Sequence, residues 1–169
     1  MTLTKSLTTL LAAVAMSAGG LGAPGPAAPD PASARWSWPL SPKPDVLRIF
    51  DPPDKPWLSG HRGVDVGPAS DGGKVTAPSD GMVTFAGVVV DRPVLTLDHG
   101  DGLKSSFEPV TSELKAGDVV RKGQVIGTVE PGHCGLSPCL HWGVRRGGDY
   151  LNPLSFVADL RPSILLPLS

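Results

Sequence analysis

The chain lacks a charge imbalance. Fifteen Lys and Arg face sixteen Asp and Glu, a formal net charge of −1 over 169 residues, so there is no electrostatic case for a nucleic-acid partner. After the N-terminal stretch it also lacks any apolar run long enough to span a bilayer, so no membrane span is expected in the mature chain. From Val46 onward no segment of ten or more residues shows a helical apolar period, which argues against a helical core. No cysteine follows the first apolar run, which argues against a lipid-anchored leader. The only two cysteines, Cys134 and Cys139, lie in one short loop.

What is abundant is punctuation. There are 21 glycines and 19 prolines. Much of the proline precedes Asp54, while glycine recurs between short apolar runs, as turns between strands require. Residues 1–23 read as an export signal, with Lys5 before an apolar run from Leu7 to Ala18 and small residues after it. Cleavage is expected between 18 and 34, which places the mature chain outside the cytoplasm, secreted or in the cell envelope. Residues 24–45 form a Pro/Ala-rich linker and a lead-in carrying Trp36 and Trp38. At alternate positions the two rings share one face of an extended segment, expected to pack on the flank of the domain; a stacking surface for a sugar or peptide is the functional alternative.

The domain proper is expected over 46–158, followed by an apolar tail, 159–169, in which Ile164–Leu168 would lie along a sheet edge. Strands are expected at Val46–Phe50, Gly63–Val66, Lys74–Thr76, Gly81–Val90, Pro93–His99, Leu103–Glu108, Gln124–Val129 and Leu140–Arg145. Pro78-Ser79-Asp80-Gly81 and His99-Gly100-Asp101-Gly102 carry the Asp-Gly signature of tight turns. In the fourth strand Val83, Phe85, Gly87 and Val89 fall on one face. Leu95 and Leu97 alternate with Thr96 and Asp98 in the fifth. These patterns describe half-buried antiparallel strands. Asn152-Pro153-Leu154 should close the core, since proline stops a strand. The fold class is all-β, small twisted antiparallel sheets with loops over one groove.

Two segments carry chemistry. His61-Arg62-Gly63-Val64-Asp65 sets an imidazole and a carboxylate four residues apart. Cys139-Leu140-His141-Trp142-Gly143 adds an imidazole on a short strand. Two imidazoles and a carboxylate with an open fourth position suit catalytic zinc, although an isolated HxxxD is common by chance. His141 has two readings at this point, a ligand and a satisfied structural histidine.

These segments, with VTAPSDGMVTFAG, LDHGDGLKSSF, AGDVVRKGQVIGTV and LHWGVRR, resemble the lysostaphin-type, or LytM-like, zinc metallopeptidases from about Val46 to Phe156. The resemblance implies the duplicated hybrid motif fold, one Zn²⁺ held by His61, Asp65 and His141, and action on peptidoglycan peptides. It also implies two further histidines that assist catalysis, and here the chain departs from the family. The first His of the family's HxH is Cys139, and the His of its Tyr-x-His is Pro109, in Phe107-Glu108-Pro109.

The candidates for replacing the lost pair are His133, in the cysteine-bearing loop, and Glu108. Strand alternation turns Glu108 away from the side taken by Phe107 and Pro109, which argues against its reaching the metal. Cys139 has three readings: a disulfide with Cys134, favoured by export, a thiolate that would close the zinc site, and a free thiol. His99 is expected to be exposed at its turn.

Two functions compete. One is an exported zinc metalloendopeptidase of the cell wall, weakened by the missing histidines. The other is a non-catalytic LytM-like module that binds wall or regulates another cell-wall hydrolase. A carrier-domain reading of Ala116–Gln124 fails because Lys122 lacks the neighbours a swinging lysine needs.

Overall fold

A computed structural model describes residues 36–157 apart from 56, 70–72 and 135–137. The export signal, most of the linker and the apolar tail lie outside the described residues. The strands are β1 (Asp45–Arg48), β2 (Gly63–Gly67), β3 (Lys74–Thr76), β4 (Gly81–Val89), β5 (Arg92–Asp98), β6 (Leu103–Glu108), β7 (Val110–Thr111), β8 (Val119–Val120), β9 (Val125–Val129), β10 (Leu140–Arg146) and β11 (Asp149–Leu151), with one helical turn, α1 (Leu154–Val157). The larger sheet runs β1-β2-β10-β6-β5-β4-β8, with β11 beside β10, and the smaller runs β3-β9-β7. All these pairings are antiparallel. The all-β expectation therefore holds. The two-residue strands β7 and β8 and the short β11 are too brief for an apolar period to show. Among the described residues no helix is long and apolar enough to cross a membrane.

Alternation along the strands builds the core. Val64 and Val66 of β2, Leu95 and Leu97 of β5, Phe107 of β6, and Trp142 and Val144 of β10 are all buried. Each is flanked by residues facing the other way, as a period of two requires. One expectation fails on a single inserted residue. The β4–β5 register pairs Val83 with Leu97 but Phe85 with Thr96, a bulge at Thr84. The bulge flips the alternation, so Ala86 packs on the core while Phe85 and Val89 turn outward.

The Asp-Gly turn after β5 forms as expected: Leu103 N–H donates to Gly100 O, with positive φ at Asp101 and Gly102. β11 ends at Leu151 and Pro153 lies between it and α1, so the strand stops before the proline. Trp36 goes deeper than a flank. It is buried, with ring centroids 4.5 Å from His99, 4.6 Å from Phe156 and 6.2 Å from Trp142.

His99 is correspondingly not the exposed turn residue expected. It is half-buried against Trp36. Its Nδ1–H donates to Asp80 O at 2.8 Å, which leaves Nε2 to accept from the buried Ser105 hydroxyl at 2.6 Å. Burial lowers its pKa from 6.5, outweighing the Asp80 hydrogen bond and the Asp98 charge. The unfolded chain therefore takes up this proton first as pH falls, and stability drops from about pH 6.5 down to the folded pKa. Denaturant midpoints at pH 7.5 and 5.5 should show a larger acid loss in the wild type than in His99→Gln; equal losses would contradict this.

Candidate metal centre

Three backbone arrangements bring the ligand atoms together. Asp65 and His141 are direct cross-strand partners on β2 and β10, so their side chains share a face. Val64 and Val66 point from β2 into the core while Asp65 points to the site. His61 lies just before β2 and is fixed by an isolated bridge to Asp51. There His61 N–H donates to Asp51 O at 2.6 Å, and Asp51 N–H donates to His61 O at 3.0 Å. Gly63 makes room: a Cβ there would lie 2.7 Å from His141 Nε2 and would also run into the Trp142 carbonyl oxygen. Only glycine lets the His141 ring lie this close over the β2 backbone.

The resulting geometry is tight. His61 Nε2 is 3.0 Å from Asp65 Oδ1 and 3.1 Å from His141 Nδ1, and His141 Nδ1 is 2.8 Å from the same oxygen. The other nitrogen of His61 settles its tautomer. Ile49 O, 2.7 Å from His61 Nδ1, can only accept, so Nδ1 carries a proton and, in the neutral ring, Nε2 is left with its lone pair toward the carboxylate. A neutral His61 and an ionised Asp65 present two acceptors 3.0 Å apart, an arrangement that a cation between them would satisfy. His61, Asp65 and His141 offer one ligand atom each, all within 4.8 Å of one another, and His61 and Asp65 are buried. This donor set suits zinc with an open position. The backbone acceptor behind His61 is the kind of outer partner that orients metal-bound imidazoles.

The carboxylate is kept charged. Burial alone would push the Asp65 carboxyl up, but in the metal-free site the His133 and His141 rings against it, by hydrogen bonding and by their charge when protonated, outweigh it and hold it far below the usual carboxylate range.

The replacement candidates are both drawn to this place. Glu108 pairs opposite His141 across β6 and β10 and lines the same cleft. The alternation that turns it away from Phe107, which is core, turns it toward the cleft with His61 and His141; the expectation that it faces elsewhere is corrected. Arg92 Nη1 stands 4.0 Å from Glu108 Oε1. His133 Nε2 lies 3.0 Å from Asp65 Oδ1. Cys134 and Cys139 form a disulfide, which removes both the thiolate-ligand and the free-thiol readings. Pro109 is buried and has no proton to offer. The cleft, about 360 Å³, is walled by His61, Arg62, Ser106, Glu108, His133, His141 and Tyr150. Arg62 lies over the Tyr150 ring at 5.8 Å, and this pair also walls a neighbouring cleft of about 480 Å³ with Pro52, Pro53 and Asp149. The sequence reading missed Arg92, Tyr150 and the Ile49 carbonyl, none of which sits in a motif.

Comparison with known proteins gives the family and the fold. Residues 59–153 match Peptidase family M23. The chain is 40% identical to an uncharacterized protein of Mycobacterium tuberculosis over 142 residues, covering 80% of this chain and 56% of the relative. It is 31% identical to the DD-carboxypeptidase/endopeptidase Mpg of Neisseria meningitidis over 96 residues, covering 56% of this chain and 22% of Mpg. The chain thus spans about half the length, or less, of these curated relatives. Among solved structures, a peptidase M23 from Pseudomonas aeruginosa aligns with a TM-score of 0.52 at 29% identity, covering 75% of this chain and 56% of that one. The catalytic domain of lysostaphin from Staphylococcus simulans aligns at 0.57 and 24% identity, over 67% of this chain and 91% of that one, a likeness of fold. The chain belongs to Peptidase family M23, and its fold is of the LytM type.

Gly63→Ala should be disruptive out of proportion to one methyl group. Overpacking of this kind costs roughly 1–3 kcal/mol and should also push His141 off the ligand position, so zinc content should fall. A variant with wild-type Tm and full metal content would show that β2 and β10 do not pack this closely.

Proposed function

We propose that the chain is an exported zinc-peptidase-like protein of the cell envelope that takes a peptidoglycan peptide in the cleft and hydrolyses it slowly. The observation that carries this reading is the convergence of His61 Nε2, Asp65 Oδ1 and His141 Nδ1, with the His61 lone pair aimed inward. His61, Asp65 and His141 would hold the zinc. When bound, the ion supplies Lewis acidity at a peptide carbonyl and brings the pKa of its water toward about 7.

The chain's own contribution is otherwise thin. His61 and His141 are used as ligands. Asp65 is held ionised. Pro109 and Cys139, at the positions where the family resemblance implies assisting imidazoles, can neither donate nor accept a proton. Glu108 and His133 line the cleft, and Arg92 engages both. Loss of one oxyanion donor costs on the order of 10²–10³ in rate, and loss of acid–base help roughly 10²–10⁴; the two need not multiply. Export is supported by Lys5 and the Leu7–Ala18 run.

A second reading has its own observation. The same two replacements leave a formed cleft with reduced chemistry, which suits a module that binds wall peptide or regulates another wall hydrolase.

Metal analysis of the mature protein should find one zinc per chain, and His61→Ala and His141→Ala should each lose most of it. Unchanged metal in both variants would overturn the site. Hydrolysis of purified cell walls should run at least about a hundredfold below an intact family member. Comparable turnover would overturn the weakened-enzyme reading, and no turnover with retained wall binding would favour the second.

A further inference from the structure

His133 lies 68 residues from Asp65 in the chain, yet its Nε2 is 3.0 Å from Oδ1 and its ring centroid 5.4 Å from that of His141. Two constraints put it there. The first is covalent: Cys134, its neighbour, is bonded to Cys139, two residues before His141, with the Cα atoms 5.8 Å apart. The second is polar: Arg92, from the start of β5, places Nη1 3.4 Å from His133 Nδ1. A guanidinium N–H can only donate, so Nδ1 is the acceptor and the ring proton sits on Nε2. His133 is thereby set to donate Nε2–H to Asp65, the opposite orientation to His61, whose Nε2 is a bare acceptor. His61, Asp65 and His141 already offer three ligand atoms without it.

We propose that His133 is a positioning residue of the metal centre: carried by the Cys134–Cys139 disulfide and set in its tautomer by Arg92, it donates a hydrogen bond that pins the Asp65 carboxylate in its ligating pose. This rests on the zinc reading above. A carboxylate oxygen has room for a ligand bond and one hydrogen bond at once, so the donor does not compete with the ion. Without it, Oδ1 would be held only from the ligand side. The cysteine that occupies an expected imidazole position thus supplies no imidazole itself but brings in a neighbour's. Outer partners of this kind are worth roughly 10–100-fold in metal affinity.

The test is the zinc Kd of the oxidised mature protein, measured by competition with a chromophoric chelator. His133→Ala should weaken binding about 10–100-fold, and His133→Gln, which keeps an N–H donor at similar reach, should recover most of that. Arg92→Ala should weaken binding less, and should add little to His133→Ala because both act on one hydrogen bond. The paired change Cys134→Ser, Cys139→Ser should match His133→Ala. Wild-type affinity in His133→Ala would overturn the proposal while leaving the three-ligand site standing. A His133→Gln variant no better than His133→Ala would also overturn it, since a direct ligand, but not a positioning donor, would be lost in both. A wild-type protein that binds no zinc would overturn this proposal and the metal reading together.

Discussion

The constraint on which the rest of the structure depends is a buried carboxylate oxygen approached by three imidazoles. Asp65 Oδ1 has nitrogen atoms of His141, His61 and His133 at 2.8, 3.0 and 3.0 Å. An ionised carboxylate this enclosed is costly unless it is compensated. His133 compensates by donating a hydrogen bond. The lone pair of a neutral His61 does not, and a bound cation would. The strand order follows the same logic: β2 and β10 must be neighbours, in the one register that sets Asp65 against His141, and glycine must stand at 63 so that the ring fits.

Around that point the chain trades one kind of order for another. The positions at which family resemblance implies assisting histidines hold a buried proline and a bonded cysteine. The cleft survives, with Arg62 and Tyr150 joining it to a second hollow. The disulfide restrains the loop bearing His133 next to His61, Asp65 and His141. Binding geometry is therefore retained more fully than proton-handling chemistry, which is the physical basis for expecting slow turnover.

Much of this was legible in the sequence because it was local. Period-two alternation and Asp-Gly turns marked the longer strands, and the HRGVD and CLHWG segments marked the three residues whose side chains converge. What escaped was set by long-range register. The bulge at Thr84 inverts the β4 face, and no composition signal marks it. The facing of Glu108 was misjudged because alternation says which residues differ in side, not which side is the site; only the pairing with His141 decides that. His99 was placed in solvent because the lead-in tryptophan that covers it lies 63 residues away in the chain. Arg92 and the Ile49 carbonyl act on single ring nitrogens from distant segments, which spacing cannot reveal.

The central claim is a zinc centre with two imidazoles and one carboxylate from the protein and no sulfur, because both cysteines are locked together. X-ray absorption at the zinc edge of the loaded, oxidised protein measures this directly. The account predicts a nitrogen and oxygen shell near about 2.0–2.2 Å and no sulfur scatterer. A sulfur shell near about 2.3 Å would mean that a cysteine has left the disulfide to close the site, and would contradict it.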